Sequence, residues 1–242
     1  MTDRSQARKR FVKVLKTLKN EARVKRKLKE LKKKHGDINR EDFVWHYILQ
    51  NFATWGGASG WQGLINNSRN YNKVTFEALS EKRSSSQRLS VLRTTLRKAK
   101  VHWPNKKPIL LAQNFDRISK EWKTLEAVRN TLLKQDGRDA KIEFLDSFAG
   151  IGPKYARNMM MDVYHEEFRD SIAIDSRIRS ISKELGVSFG SDYEAHEDFY
   201  RKVAKASGLK NAWELDRIMF HFKDDVLDLL RGRKRKARGK AR

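Results

Sequence analysis

Two residues in the stretch 144–178 have the types and the spacing to do chemistry on a sugar. Lys154 ends the run FAGIGPK, and Asp175 ends the run IAID 21 positions later. An amine can attack the anomeric carbon of a sugar and leave a Schiff base, and a carboxylate can stabilise the positive charge that builds up as a glycosidic bond breaks. Lys154 and Asp175 are therefore the candidate catalytic pair.

The elements that position this pair are predicted to be a helix, a hairpin, a second helix, a loop and a third helix. Gly150 and Gly152 give the hairpin backbone angles that are closed to other residues, and Pro153 suits the first position of the helix that follows. The N–H groups at that helix start form an anion site. Gly150, Gly152 and Lys154 are therefore predicted to hold a DNA phosphate without reading a base.

Both catalytic candidates have a plainer alternative role. Lys154 can serve only as a phosphate contact. Asp175 can serve only as the N-cap of the helix that begins with the sequence SRIRSISKELG, which is a common use of Asp. Capping and catalysis are compatible, so the sequence leaves both roles of Asp175 open.

The charge of the chain predicts a polyanionic partner. Its 242 residues include 54 Lys and Arg against 30 Asp and Glu, which gives a net charge of +24. Segments 1–37 and 231–242 hold 19 of these net charges, so a mildly basic body lies between two strongly basic ends. Each Lys or Arg that contacts a phosphate releases counterions, and nucleic acid is the leading partner. A solubilising surface is the alternative.

Composition also excludes several kinds of site. The chain has no cysteine, which excludes disulfides, thiol nucleophiles, thiolate zinc sites and iron–sulfur clusters held by cysteine. Its 6 histidines lack ligand-like spacing. No apolar stretch approaches the length of a membrane span, and the N-terminus lacks the apolar segment of a secretory signal. We expect a soluble, monomeric, intracellular protein that associates with DNA in the cytoplasm or nucleus and not with membranes.

Apolar residues recur at three- and four-residue steps and strand alternation is weak, so the fold class is predicted to be all-α. The stretch TWGGASGWQG, residues 54–63, is predicted to be a tight glycine-rich loop. Helices are predicted over residues 11–34, 37–54, 75–79, 86–102, 115–135 and 140–148.

The domain organisation is predicted from the same pattern. A basic N-terminal helix or arm covers residues 1–37, and a basic disordered tail covers residues 231–242. The body between them, residues 38–230, is expected to form two helical lobes with an active-site cleft between them. The middle lobe is predicted to cover about 60–175, and the second lobe to combine 38–59 with 176–230.

The stretch around Lys154 resembles the helix-hairpin-helix DNA glycosylases of the endonuclease III superfamily. Their motif runs apolar, Pro or Ala, Gly, apolar, Gly, any residue and Lys, followed by an apolar run and a catalytic Asp. Here FAGIGPK fills positions 148–154 and IAID fills positions 172–175. The resemblance is close over residues 143–186 and looser over 43–229. In the family, a Lys at this hairpin position marks enzymes that excise a base and also cleave the abasic strand by β-elimination.

The resemblance also implies a pocket, because an enzyme that acts on a base in duplex DNA must flip that base out and stack it. Asp216 and Phe220 are four residues apart on one helix face, which would place a hydrogen-bond acceptor beside a stacking ring. The alternative is an exposed, ion-pairing Asp216 beside a buried Phe220, and the other aromatics have core packing as their alternative. The candidates for the pocket or wedge are Gln50, Asn51, Trp55, Trp61, Asp216, Phe220 and Phe222.

Members of the family often hold a monovalent cation with hairpin carbonyl groups. The matching carbonyls belong to Asp146, Phe148 and Ile151, which implies a structural K⁺ or Na⁺ site. Many members also carry a cysteine-ligated iron–sulfur cluster, and this cysteine-free chain resembles the cluster-free branch. No cofactor is expected to be required.

The resemblance implies a bifunctional DNA glycosylase and AP lyase, similar to the 8-oxoguanine enzymes, that excises an oxidised base from duplex DNA during base excision repair. One alternative is a monofunctional glycosylase for alkylated or mismatched bases, in which Lys154 only contacts phosphate. The other is a non-catalytic helix-hairpin-helix DNA-binding protein, which the basic ends favour. The downstream run IAID has no obvious use in a simple binding module, so this second alternative ranks last.

Overall fold

A computed structural model describes residues 3–233 and shows α-helices joined by short turns, with no β-strand in that range. The all-α prediction is confirmed. The helices form two compact units. Of the described residues, the middle unit consists of 36–159, and the terminal unit consists of 3–35 together with 160–233.

The middle unit is built around α3, whose buried residues lie on every side of the helix. Trp45 and Phe52 are each 1% exposed, and α3 packs against α8 and against a π-helix, Trp61–Ile65. α6 packs against α7. The helices of this unit are α3 (Phe43–Thr54), α4 (Ser68–Tyr71), α5 (Phe76–Ser80), α6 (Ser85–Lys98), α7 (Lys107–Glu121), α8 (Leu125–Leu133), α9 (Gly137–Asp146) and the first part of α10 (Pro153–Asp162).

The terminal unit combines both ends of the described chain. α1 buries Phe11, Leu15 and Leu18 and packs against α11, α12 and α14. α12 packs against α13, and α11 packs against α13 and α14. The helices of this unit are α1 (Arg4–Leu18), α2 (Ala22–Lys32), the end of α10, α11 (Ser176–Leu185), α12 (Tyr193–Ala206), α13 (Ala212–His221) and α14 (Lys223–Leu230).

Two of the long predicted helices are each divided in the structure. The one predicted at 11–34 becomes α1 and α2. The one predicted at 115–135 lies across α7 and α8, which are separated at Lys123, whose φ is +67°. Thr124 then caps α8 by accepting a hydrogen bond from the Ala127 N–H. The apolar period continues through both breaks because the helices on either side of each break bury apolar residues within the same unit.

The observed units differ from the predicted lobes in the placement of residues 38–59 and 160–175. Residues 38–59 belong to the middle unit because the apolar surface of α3 is covered by α8 and the π-helix. Residues 160–175 belong to the terminal unit. The predicted N-terminal arm is a pair of helices folded into the terminal unit. Most of the predicted disordered tail, residues 234–242, lies outside the described residues.

No helix in the range 3–233 combines the length and the apolar character needed to cross a membrane.

Candidate active site

The predicted hairpin joins α9 to α10. α9 ends at Asp146, residues 147–152 form the turn, and Pro153 is the first residue of α10. Gly150 has a φ of +80°, in the left-handed region that favours glycine. A Cβ at Gly150 would lie 2.8 Å from the Phe52 ring and 3.0 Å from Leu110, so the turn is packed closely against α3 and α7.

Asn114 on α7 holds the hairpin in place from inside the middle unit. Its side-chain oxygen accepts a hydrogen bond from the Ala149 N–H at 2.7 Å, and its side-chain nitrogen donates to the Ala149 carbonyl at 3.0 Å. Asn114 is only 1% exposed. Because the amide satisfies both backbone groups of Ala149, the turn has one strongly preferred position relative to α7.

The anion-binding groups predicted in the hairpin are accessible. Among the described residues, the N–H groups of Gly150 and Gly152 donate no hydrogen bond, and both glycines are half-buried. A Cβ at Gly152 would meet only the Asp146 carboxylate, at 4.0 Å, so the space in front of this residue is open. Lys154 lies in the first turn of α10, with its amine 3.9 Å from the centre of the Tyr155 ring. This arrangement can hold an anion beside an amine.

The carbonyl groups predicted to hold a monovalent cation also have capacity for one. The Phe148 carbonyl accepts the Ile151 N–H at 3.0 Å, which leaves one of its lone pairs. The carbonyls of Asp146 and Ile151 accept no hydrogen bond from any described residue. In the range 3–233 no group of three or more His, Asp or Glu residues is placed to hold a metal ion.

Asp175 is the N-cap of α11, as the structural alternative predicted. One carboxylate oxygen accepts the N–H groups of Arg177 at 2.8 Å and Ile178 at 3.0 Å. The other oxygen accepts from the Arg177 guanidinium at 3.1 Å. The side chain is 13% exposed. Three donors thus fix the carboxylate at a helix start with part of its surface open to solvent.

The extended run before Asp175 is held by buried side chains from two other helices. The Ile172 N–H donates to Glu197 at 2.8 Å, and the Ala173 N–H donates to Asp216 at 2.9 Å. Glu197 is fully buried and Asp216 is 3% exposed. Because peptide groups in the run have side-chain partners instead of a neighbouring strand, α12 and α13 determine where Asp175 lies.

The structure reverses the plainer alternative for Asp216 and Phe220, which had an exposed Asp216 beside a buried Phe220. Asp216 is buried and already accepts the Ala173 N–H, whereas Phe220 is 38% exposed. Burial raises the pKa of the Asp216 carboxyl to about 6, and the neighbouring Asp175 also raises it, against the lowering effect of Arg217 and the Ala173 N–H. Asp216 therefore supports the Asp175 segment.

Arg177 connects the candidate catalytic carboxylate to the exposed ring on α13. Its guanidinium carbon lies 4.1 Å from the centre of the Phe220 ring, and the same side chain donates to Asp175. Phe222 is half-buried between α13 and α14 and lies 5.2 Å from the guanidinium carbon of Arg23. Of the two predicted aromatics at this end of α13, Phe220 is the one that contacts Arg177, the partner of Asp175.

In the middle unit, Trp55 belongs to a cluster of aromatic and cationic side chains. Its ring centre lies 5.3 Å from that of Trp103 and 6.3 Å from that of Tyr155, the residue after Lys154. The Lys107 amine donates to the carbonyls of Phe52 at 2.7 Å and Trp55 at 2.6 Å, which caps the end of α3. Burial lowers the pKa of this amine to about 8.

The other predicted pocket residues lie on or near the same helix. Asn51 is 4% exposed, and its side-chain nitrogen has no hydrogen-bond partner among the described residues. Gln50 is half-buried on α3. Trp61 begins the π-helix, so the predicted glycine-rich loop is shorter than 54–63. The sequence indicated Gln50, Asn51 and Trp61 as pocket candidates but did not show which residues surround them.

Sequence reasoning missed Trp103, Lys107 and Arg177. Trp103 is 51% exposed and has a φ of +53°, which is unusual for a residue with a side chain. A Cβ at Gly56 would lie 2.7 Å from the Trp103 ring, so the glycine-rich stretch is the surface on which this ring rests. The glycine-rich stretch was the only sign in the sequence of a ring packed against it, but that ring, Trp103, lies more than forty positions away.

Solved structures share this fold at low sequence identity. The 8-oxoguanine DNA glycosylase of Thermotoga maritima is 20% identical, with a TM-score of 0.62 over 89% of this chain and 96% of that one. The 8-oxoguanine DNA glycosylase of Methanocaldococcus jannaschii is 16% identical, with a TM-score of 0.66 over 88% of this chain and 92% of that one. The M. jannaschii glycosylase/lyase bound to a 15mer DNA containing 8-oxoguanine is 15% identical, with a TM-score of 0.63. No family model and no curated protein matches the chain in sequence.

Proposed function

We propose that this protein is a DNA glycosylase and AP lyase that excises an oxidised guanine from duplex DNA, with Lys154 as the nucleophile and Asp175 as the assisting carboxylate. The observation that carries the proposal is the hairpin, where the Gly150 and Gly152 N–H groups donate no hydrogen bond to any described residue and Lys154 follows in the first turn of α10. The shared fold supports it, since one of the solved structures with this fold is described as a glycosylase/lyase in complex with DNA containing 8-oxoguanine.

In the proposed reaction, the hairpin N–H groups bind a phosphate of the damaged strand and so position the sugar. The Lys154 amine attacks C1′ of that sugar. The bond between C1′ and the base breaks, its electron pair leaves with the base, and the base takes up a proton. The Asp175 carboxylate stabilises the positive charge that develops at C1′ and accepts a proton from the attacking amine. This step requires both side chains to face one sugar.

The nitrogen lone pair then forms the Schiff base as the C1′–O4′ bond breaks, and O4′ takes the electrons of that bond and a proton to become a hydroxyl. Loss of a proton from C2′ and departure of the 3′ phosphate, which takes the C3′–O bond electrons, complete the β-elimination. Hydrolysis of the remaining imine returns Lys154 as an amine. Each step uses only water and groups of the protein and DNA, so the proposed reaction needs no cofactor.

The exposed face of Phe220 and the Trp55 and Trp103 rings support the binding of an extrahelical base, because aromatic rings stack on bases of any sequence.

The carbonyls of Asp146, Phe148 and Ile151 support a K⁺ or Na⁺ site at the hairpin, where the cation would balance the charge of a bound phosphate. The cation would position DNA and take no part in bond breaking.

Borohydride trapping tests the proposal directly. The protein is incubated with a duplex containing one 8-oxoguanine, reduced, and analysed for a covalent protein–DNA product. We expect wild type to give the product and Lys154→Gln to give none, because an amide cannot form a Schiff base. Lys120→Gln is the control, since Lys120 is an exposed lysine on α7. Base release without trapping would instead indicate the monofunctional glycosylase.

Asp175→Asn separates capping from catalysis. Asn caps helices about as well as Asp, so the free energy of unfolding should change by less than about 1 kcal/mol. Excision should nevertheless fall by about 100-fold or more, because the negative charge is lost. Unchanged excision by Asp175→Asn would reduce Asp175 to a cap. Absence of both base release and trapping on every lesion tested would indicate a non-catalytic binding protein.

A further inference from the structure

The first two helices each present a row of basic side chains to solvent. On α1 the row consists of Lys9, Lys13 and Lys16, at steps of four and three residues, so all three lie on one face. On α2 and the turn after it, the row consists of Lys25, Arg26, Lys29 and Lys33. All seven residues are exposed.

These rows are distinct from the basic residues that hold the terminal unit together. Arg10 donates to the carbonyls of Glu184 and Leu230, Arg23 pairs with Asp225, and Lys32 pairs with Glu214. By contrast, none of the seven row residues makes a side-chain hydrogen bond or an ion pair within residues 3–233. Arg10, Arg23 and Lys32 therefore stabilise the fold, whereas the charges of the two rows are not neutralised by any described residue.

The rows are unfavourable for the isolated helices. Residues 4–33 contain 14 Lys and Arg against two acidic residues, Glu21 and Glu30, and these two pair with Arg23 and Lys27, which lie outside the rows. Like charges three or four residues apart on a helix repel each other. Lys13 has such a neighbour on each side, at Lys9 and Lys16. A surface of this kind is stabilised when an anionic partner neutralises it.

We infer that the α1 row and the α2 row each bind the phosphate backbone of duplex DNA, at sites separate from the hairpin and indifferent to the damaged base. The α1 row runs over seven residue steps, from Lys9 to Lys16, or about 10.5 Å at a rise of 1.5 Å per residue. Phosphates of one strand recur about every 3.4 Å along the duplex axis, so the row faces about three of them. The inference rests on the proposed function only in taking DNA as the partner.

The buried side of the same helices favours DNA over an anionic membrane. A helix that binds a lipid surface inserts its apolar face into the lipid. The apolar face of α1, formed by Phe11, Leu15 and Leu18, is fully buried within the terminal unit. Only charged heads are left for a partner, and a phosphate backbone needs nothing more.

The test measures the affinity of the full chain for a lesion-free 20-base-pair duplex at several salt concentrations. In the α1-row variant, Lys9→Gln, Lys13→Gln and Lys16→Gln are combined. We expect the slope of log K against log salt to fall by up to about 2.7, or about 0.9 per lost phosphate contact. At 0.1 M salt this corresponds to a loss of up to about eightfold per lysine. The α2-row variant, with Lys25, Lys29 and Lys33 changed to Gln, should behave similarly.

A matched control removes the same charge without touching the rows. Lys183→Gln, Lys205→Gln and Lys210→Gln are exposed positions scattered over other parts of the terminal unit. This control should reduce the slope by less than one. An equal loss in the control and the row variants would overturn the inference, because net charge alone would then explain the binding. A row variant that loses binding to anionic vesicles but keeps wild-type duplex affinity would also overturn it.

Measurements of Tm and of borohydride trapping distinguish a failure of this inference from a failure of the proposed function. Lys and Gln have similar helix propensities, so the α1-row variant should keep its Tm or gain up to about 3 °C from relieved repulsion. Loss of duplex binding together with a markedly lower Tm would overturn the inference by indicating damage to the fold. Borohydride trapping at low salt should persist in the row variants, whereas Lys154→Gln should abolish trapping and leave the duplex salt slope unchanged within about one.

Discussion

Replacing Gly150 with alanine should damage the fold of the middle unit itself. At a φ of +80°, a residue with a Cβ costs about 1–2 kcal/mol. The new Cβ would also lie 2.8 Å from the Phe52 ring and 3.0 Å from Leu110, and overpacking of this kind costs about 1–3 kcal/mol. Together these effects predict that Gly150→Ala lowers the free energy of unfolding by about 2–5 kcal/mol.

Gly152→Ala is the matched comparison, two positions along the same turn. Gly152 has no positive φ, and its Cβ would meet only the Asp146 carboxylate at 4.0 Å. We expect its free energy of unfolding to change by less than about 1 kcal/mol. The methyl group would instead extend into open space at the turn, where the phosphate is proposed to bind. Loss of one charge-assisted hydrogen bond, about 1.5–3 kcal/mol, predicts roughly 10- to 100-fold weaker DNA binding.

Two assays compare Gly150→Ala with Gly152→Ala. Urea unfolding gives the free energy of unfolding of each variant, and titration with a duplex containing a stable abasic-site analogue gives its affinity. Gly150→Ala should lose stability, and Gly152→Ala should lose affinity while keeping stability. The reasoning fails if the two variants lose equal stability, or if Gly152→Ala binds the duplex as tightly as wild type.

Two buried ionisable groups give predictions for stability against pH. The pKa of Asp216 is raised to about 6, so the folded state binds more protons than the unfolded state between about pH 4 and 6. Stability should therefore fall by up to about 3 kcal/mol as pH rises through that range, and Asp216→Asn should flatten the profile in urea unfolding. The pKa of Lys107 is lowered to about 8, so the unfolded state binds more protons above that pH. Stability should rise by up to about 3 kcal/mol between about pH 8 and 10.5, and a rise that persists in Lys107→Met would exclude Lys107 as its source.

Local chemistry explains the parts of the site that could be predicted. Pro153 restricts its own φ and has no N–H to satisfy, which marks the start of α10 wherever the rest of the chain lies. Gly150 marks the turn because few other residues tolerate its backbone angle. Asp175 could be identified as an N-cap from its position before an apolar period. These properties depend on neighbours within a few residues.

Long-range packing explains the parts that could not. Asn114 clamps Ala149 across 35 positions, and Lys107 caps α3 across 52 to 55 positions. Neither residue belongs to a local motif. The sequence also predicted the same role for Gly150 and Gly152, although only Gly150 has a packed neighbour where a Cβ would lie.

From the sequence alone came the helical class, the hairpin and the basic ends, because periodicity, turn residues and charge are local properties of the chain. The two candidate catalytic residues came from the resemblance of a local motif. The tertiary structure alone decided that residues 38–59 pack with the middle unit, that Asp216 is buried beneath the IAID run, and that Phe220 and Trp103 are exposed. Burial depends on which helices cover each face, and an amphipathic period does not specify the partner that covers it.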